Sequence, residues 1–131
     1  VPHPFIEHVN ITVTDPERSA QLLSAIFGWH ERWRGPARDG GTTIHVGSDR
    51  AYLALYTAPD GEHAGKRWPK GEPLNHVGVQ VDDLDEIEAR VKAVGLAPFN
   101  HADYEPGRRF YFFDPDGIEY EVVSYTEPRL R

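Results

Sequence analysis

A pattern that occurs twice constrains this chain more than any other feature. His8, Val9, Val13 and Asp15 recur 68 residues later as His76, Val77, Val81 and Asp83. Self-similarity at a fixed spacing indicates one supersecondary unit built twice. Both segments alternate. Val9, Ile11 and Val13 point one way, and His8, Asn10 and Thr12 the other; in the second copy Val77, Val79 and Val81 oppose His76, Gly78 and Gln80. A period of two marks a strand with one apolar face.

Each strand runs into a helix start. Asp15 before Pro16 reads as an N-cap with Pro at the first helical position. Leu22, Leu23, Ile26 and Phe27 form the stripe, and Gly28 the stop. Asp83 with Glu86 reads as a capping box ahead of Leu84, Ile87, Val91 and Val94, with Gly95 as the stop. Further strands are expected over 29–33, 42–46 and 51–56 in the first copy, and over 97–101, 108–113 and 118–125 in the second. Asp114-Pro115-Asp116-Gly117 is a turn between the last two. Each copy is therefore βαβββ. The first module covers 1–57, a linker rich in Pro, Gly and charge covers 58–73, and the second module covers 74–126, all within one 131-residue domain.

Modules of about 55–60 residues are marginal alone. The expected fold is α+β: two paired βαβββ modules forming a curled, antiparallel-rich sheet around a cup, with the helices on its outer face. The valine faces would pack on the helices, and the histidine faces would look into the cup.

Composition narrows the chemistry. There is no cysteine, which excludes disulfides, thiolate metal sites, thiol nucleophiles and iron–sulfur clusters together. Lys and Arg total 14 against 21 Asp and Glu, a net charge of −7 that argues against duplex nucleic acid or an anionic membrane surface. No apolar run reaches the roughly 18–20 residues of a membrane span. The expectation is a cytoplasmic protein whose partner is a small molecule.

His8 and His76 stand at equivalent places in the two copies, on the face assigned to the cup. Glu121 lies on the last strand between Tyr120 and Val122, where an acid is costly unless paired or bound to a cation. Two histidines and one carboxylate make a facial triad with open positions, suited to Fe and able to hold Mn, Zn, Ni or Co. A lone strand histidine reads equally as an ordinary core or surface residue; the repetition makes the three a constellation. The position of the first copy that matches Glu121 is Ala54, so that strand supplies no fourth ligand.

With these residues in view, the sequence resembles the vicinal oxygen chelate superfamily, also called the glyoxalase/bleomycin resistance protein/dioxygenase superfamily. The resemblance covers nearly the whole chain. It rests on the His8 strand with Asp15 and Pro16, on the His76 strand with its helix, and on the stretch 110–121, where the Asp114-Pro115-Asp116-Gly117 turn is followed by Glu121. It implies paired βαβββ modules around a metal-containing cup, with His8, His76 and Glu121 as the ligands of a divalent metal. It also implies a homodimer, often with modules from two chains completing each site. Activities of the family include isomerase, lyase and ring-cleaving dioxygenase chemistry on small oxygenated substrates. Glyoxalase I uses a second acid where this chain has Ala54, which argues against true lactoylglutathione lyase activity. Tyr111 matches a tyrosine that fosfomycin-resistance transferases direct at the antibiotic, whereas His101 and Glu105 stand roughly where those enzymes carry a lysine and a serine. The alternative is a non-catalytic, bleomycin-resistance-like protein that sequesters a ligand; the acidic balance would suit a cationic one.

Further candidates are weaker. Tyr111 and His45 are the candidate catalytic groups, and Asn10, Tyr52, Tyr56, Gln80 and Tyr111 the candidate substrate contacts, each with aromatic packing or plain strand exposure as its ordinary reading. Glu119 shares the parity of Glu121 but is expected to face solvent beside the turn. Arg32, Arg34 and Arg38, and Lys66 and Arg67 beside Trp68 in the linker, read as solvated loop residues; Trp29, Trp33 and Trp68 read as core or dimer-interface residues.

Overall fold

The computed structural model describes residues 4–59 and 73–126, so Lys66, Arg67, Trp68 and most of the expected linker lie outside the described residues. The chain divides into two compact units, Val1–Lys66 and Arg67–Arg131. The first contains β1 (His8–Thr12), α1 (Pro16–Phe27), β2 (His30–Pro36), β3 (Thr42–Gly47) and β4 (Tyr52–Thr57). The second contains β5 (Val77–Gln80), α2 (Leu84–Ala93), β6 (Phe99–Tyr104), β7 (Gly107–Phe113) and β8 (Glu119–Tyr125).

Both units are βαβββ, and each builds its own four-stranded sheet, in the orders β1-β4-β3-β2 and β5-β8-β7-β6. In each the first strand pairs parallel with the last, and the other pairings are antiparallel. The helix is the crossover that a parallel pair requires. The hydrogen-bonded strands thus form two mixed sheets, one per unit, in an α+β fold.

Asp15, Pro16, Gly28 and Asp83 act at the helix ends as expected, whereas α2 is capped at Val94, one residue before Gly95. The Asp15 side chain accepts from the Arg18 N–H, Pro16 opens α1, and Gly28 ends it in the left-handed region at φ 72°. The Asp83 side chain accepts from the Glu86 N–H. Glu86 turns its carboxylate to Arg90 at 2.9 Å, an ion pair one helical turn away.

The cores lie under the helices. Ile11, Val13, Leu23, Ile26, Ile44, Val46, Leu53 and Leu55 are buried in the first unit; Val79, Leu84, Ile87, Val91, Phe110, Phe112, Tyr120 and Val122 are buried in the second. Val9 departs from the expected apolar face and is 38% exposed. His76 precedes β5 rather than lying within it. The second strand runs to Pro36 instead of ending at Trp33, and β6 runs to Tyr104. Both are edge strands with mostly exposed side chains, so their pairing with β3 and β7 rather than apolar alternation defines their length. No described helix is long and apolar enough to cross a membrane.

Candidate functional site

Strand register carries the internal repeat to the level of individual positions. Ala54 is paired with Asn10 on one side and His45 on the other; Glu121 is paired with Gly78 and Tyr111. The two residues therefore occupy the same place in their respective sheets. Ala54 is buried and offers no donor atom.

In the second unit the structure brings His76, Glu121, Tyr111 and Arg109 together. His76 Nε2 lies 3.0 Å from Glu121 Oε1. The other carboxylate oxygen, Oε2, accepts from Arg109 Nη1 at 3.0 Å. The Arg109 and Glu121 side chains are only 13% and 14% exposed, so this is a largely buried ion pair. Tyr111 stands edge-on to the His76 ring at 6.0 Å. Burial, followed by the charge and hydrogen bonding of Glu121, pushes its phenol pKa up and keeps it protonated. A Cβ placed on Gly78, the β5 residue paired with Glu121, would meet no described residue within 4 Å.

His76 Nδ1 lies 2.7 Å from Asn75 Oδ1, an atom that can only accept, so Nδ1 carries the proton. Nε2 can then face a carboxylate in two ways. The ring is a protonated imidazolium, or two lone pairs converge where a cation belongs. Two donors about 2.1 Å from one ion and at right angles sit ~3.0 Å apart, which is the spacing found. The pair fits a divalent ion.

In the first unit His8 belongs to a stack of rings across the sheet. Its ring lies 4.9 Å from Tyr52 at 11°, Tyr52 lies 4.5 Å from His45 at 25°, and His45 lies 5.0 Å from Trp33. The guanidinium of Arg32 sits 4.5 Å from the Tyr52 ring centroid. His8 Nδ1 is 3.0 Å from Glu7 Oε1. Burial, then the neighbouring His8 and Arg32, lower the His45 pKa and favour its neutral form. Tyr52 is thus held between two imidazoles, and Trp33, expected in a core or interface, is 48% exposed in this chain.

Asn10 and Tyr56 lie further along the same sheet, where Asn10, Thr12, Arg38, Asp39, Thr43 and Tyr56 line an open groove of about 620 Å³. The Tyr56 hydroxyl donates to the Asp39 carboxylate. That hydrogen bond, with one from the Gly41 N–H, holds the Asp39 carboxyl below its ordinary range. In Tyr56→Phe the Asp39 pKa is expected to rise toward the usual carboxylate value, read by carboxyl-carbon NMR titration; an unmoved value would refute the assignment. Gln80 is exposed, with no described contact to the His76 and Glu121 group.

Two expectations need correcting. Glu119 is 8% exposed rather than solvated; it opens β8 and is paired with Phe113 of β7. Arg34 lies in β2 rather than in a loop; its side chain is half exposed, as expected, and is ion-paired with Glu31 at 2.6 Å and Glu17 at 2.9 Å. Sequence reasoning missed Arg109, Asn75 and Glu7. The available signal was parity for Arg109, two residues before Tyr111 on one strand, and repetition for the other two, which directly precede the paired histidines. Among the described residues no group of three His, Asp or Glu side chains gathers around one point. His76 and Glu121 meet in the second unit, and His8 belongs to the first.

Comparison with known proteins identifies the architecture. The sequence profile of the Glyoxalase/Bleomycin resistance protein/Dioxygenase superfamily matches residues 5–122. A glyoxylase/bleomycin resistance protein/dioxygenase domain from Frankia sp. EAN1pec is similar with a TM-score of 0.82 at 24% identity, over 95% of this chain and 94% of that one. TnmS3, an antibiotic binding protein from Streptomyces sp. CB03234, gives a TM-score of 0.72 at 19% identity, over 96% and 99%. The fosfomycin resistance protein FosX from Listeria monocytogenes, crystallised with Mn(II) and sulfate, gives 0.71 at 21% identity, over 97% and 98%. With its two βαβββ units and a profile match across most of its length, the chain belongs to the Glyoxalase/Bleomycin resistance protein/Dioxygenase superfamily.

Proposed function

We propose that the protein is a metal-dependent enzyme that binds a small oxygenated molecule on a divalent ion held by His8, His76 and Glu121. The 3.0 Å approach of His76 Nε2 to Glu121 Oε1 carries the reading, since the second polar atom of each side chain is already engaged. When bound, the ion supplies Lewis-acid polarisation of a substrate oxygen.

The chain's own residues do the rest. Ala54 withholds a fourth donor and leaves room for two substrate oxygens. The protonated Tyr111 phenol is a hydrogen-bond donor beside Glu121. Neutral His45 is a proton acceptor one ring away from His8 across Tyr52. This set serves isomerase, lyase or dioxygenase chemistry, and no group occupies the position of a second acidic ligand. The ion is drawn from Fe, Mn, Zn, Ni and Co, and the Mn(II)-bound FosX relative makes Mn the first to test. His8 comes from the first unit of the same chain or of a second copy in a homodimer.

Metal analysis of protein purified without chelator tests the proposal. Stoichiometric metal is expected in the wild type and none in His76→Ala; absence of metal from the wild type overturns it. A second reading, sequestration of a planar ligand without chemistry, draws on the stacked rings of His8, Tyr52 and His45, with Trp33 tilted against His45, and on the antibiotic-binding relative. Tight binding of bleomycin in the presence of EDTA would favour it.

A further inference from the structure

The residue directly before each repeated histidine does the same thing in both units. Glu7 places Oε1 3.0 Å from His8 Nδ1. Asn75 places Oδ1 2.7 Å from His76 Nδ1. The two contacts are 68 residues apart, the spacing of the repeat itself, yet the two side chains are chemically different. What they share is a side-chain oxygen that accepts from a ring nitrogen.

The consequence is a choice of tautomer. A neutral imidazole carries one proton, and the nitrogen that bears it has no lone pair to give. An acceptor at Nδ1 draws the proton there and leaves Nε2 as the donor atom. Both rings are also held in orientation. His8 lies against Tyr52 at 11°, and the Tyr52 hydroxyl donates to the same Glu7 oxygen at 3.4 Å. His76 has Tyr111 at its edge. Glu121 follows the same rule with a different partner: Arg109 takes Oε2, and Oε1 is the oxygen turned to His76.

We infer that Glu7 and Asn75 are positioning residues that fix His8 and His76 in the Nδ1–H tautomer, so that each offers Nε2 to a divalent cation. This rests on the metal-binding proposal above. Neither residue is itself a ligand, and neither sits in a site that the metal reading alone defines. Outer partners of ligating histidines orient the ring and raise its basicity.

The test uses Zn(II), a diamagnetic probe, with NMR and a competitive chelator titration on the full chain. In the wild type, two imidazole Nδ1–H protons are expected as hydrogen-bonded, slowly exchanging signals. Asn75→Ala should remove the protection of the His76 signal and spare that of His8; Glu7→Ala should do the reverse. Each should weaken Zn(II) binding by roughly tenfold, in the range seen for outer partners of metal ligands. Asn75→Asp keeps an oxygen acceptor and should restore both the protected proton and the affinity, which a merely structural defect would not do. If His76→Ala loses Zn(II) while Asn75→Ala and Glu7→Ala bind it as tightly as wild type with unchanged signals, this inference falls and the metal reading stands. If the wild type takes up no Zn(II), or His76→Ala binds it equally well, the metal reading falls and this inference with it.

Discussion

Glu121→Gln is expected to damage metal uptake and stability together. If Glu121 is the ligand proposed above, removing its charge should weaken divalent-metal affinity by about 100-fold or more, beyond the tenfold to hundredfold typical of outer partners. The cost to the fold comes from Arg109. Its guanidinium is largely buried, its Nε has no hydrogen-bond partner among the described residues, and Glu121 supplies the opposite charge at 3.0 Å. Breaking a buried pair from one side leaves an uncompensated charge and costs about 3 kcal/mol. Urea denaturation of the metal-free variant reads the second effect alone. The double variant Arg109→Met, Glu121→Gln removes both charges, so it should recover much of that stability while leaving metal affinity low. Equal loss of stability in the single and double variants would show that the pair is not what holds this part of the sheet.

That coupling explains where the sequence was readable. His8, His76 and Glu121 stood out because strand parity and a 68-residue repeat are one-dimensional signals, and both survive into the register that pairs Ala54 with Asn10 and Glu121 with Gly78. The helix caps were readable for the same reason, since Asp15, Pro16 and Asp83 act on neighbours within one turn. Arg109 was not. Parity put it on the face of Tyr111, but its role depends on a cross-strand carboxylate twelve residues away and on a burial that a charged side chain does not announce. Glu119 was misjudged because proximity to a turn does not by itself imply solvent: the residue already lies in β8, paired with Phe113, and is 8% exposed. The edge strand β2 was cut short because its residues are nearly all polar and exposed; backbone pairing to β3, not side-chain pattern, carries it to Pro36. Gathering of His76 with Glu121 could be expected from parity; their spacing, and the partners that occupy their remaining atoms, are properties of rotamers.

Phe112→Ala should destabilise the protein by about 3–5 kcal/mol, the range for removing a large aromatic from a packed core. Phe112 is fully buried and lies 5.1 Å from Tyr120 at 12°, on the side of the second sheet opposite Glu121. The cavity would open beneath the strand pair that carries Tyr111 and Glu121, since Phe112 is paired with Tyr120 and Tyr111 with Glu121 in the next register position. A loss of that size should lower the melting temperature by roughly 10–20 °C for a domain of this length. Val9→Ala is the matched control. Val9 belongs to the same alternating apolar pattern by sequence, but it is 38% exposed, and a change at such a surface position should stay within about 0.5 kcal/mol. If apolar alternation alone measured burial, the two strands would respond in proportion to side-chain size. A near-neutral Val9→Ala beside a large Phe112→Ala effect would show instead that the helix-covered stretch of each sheet carries the core, and that the outer end of β1 is free to present His8 and Glu7. A large loss at Val9, or a small one at Phe112, would place the core elsewhere and remove the support that holds Glu121 against Arg109 and His76.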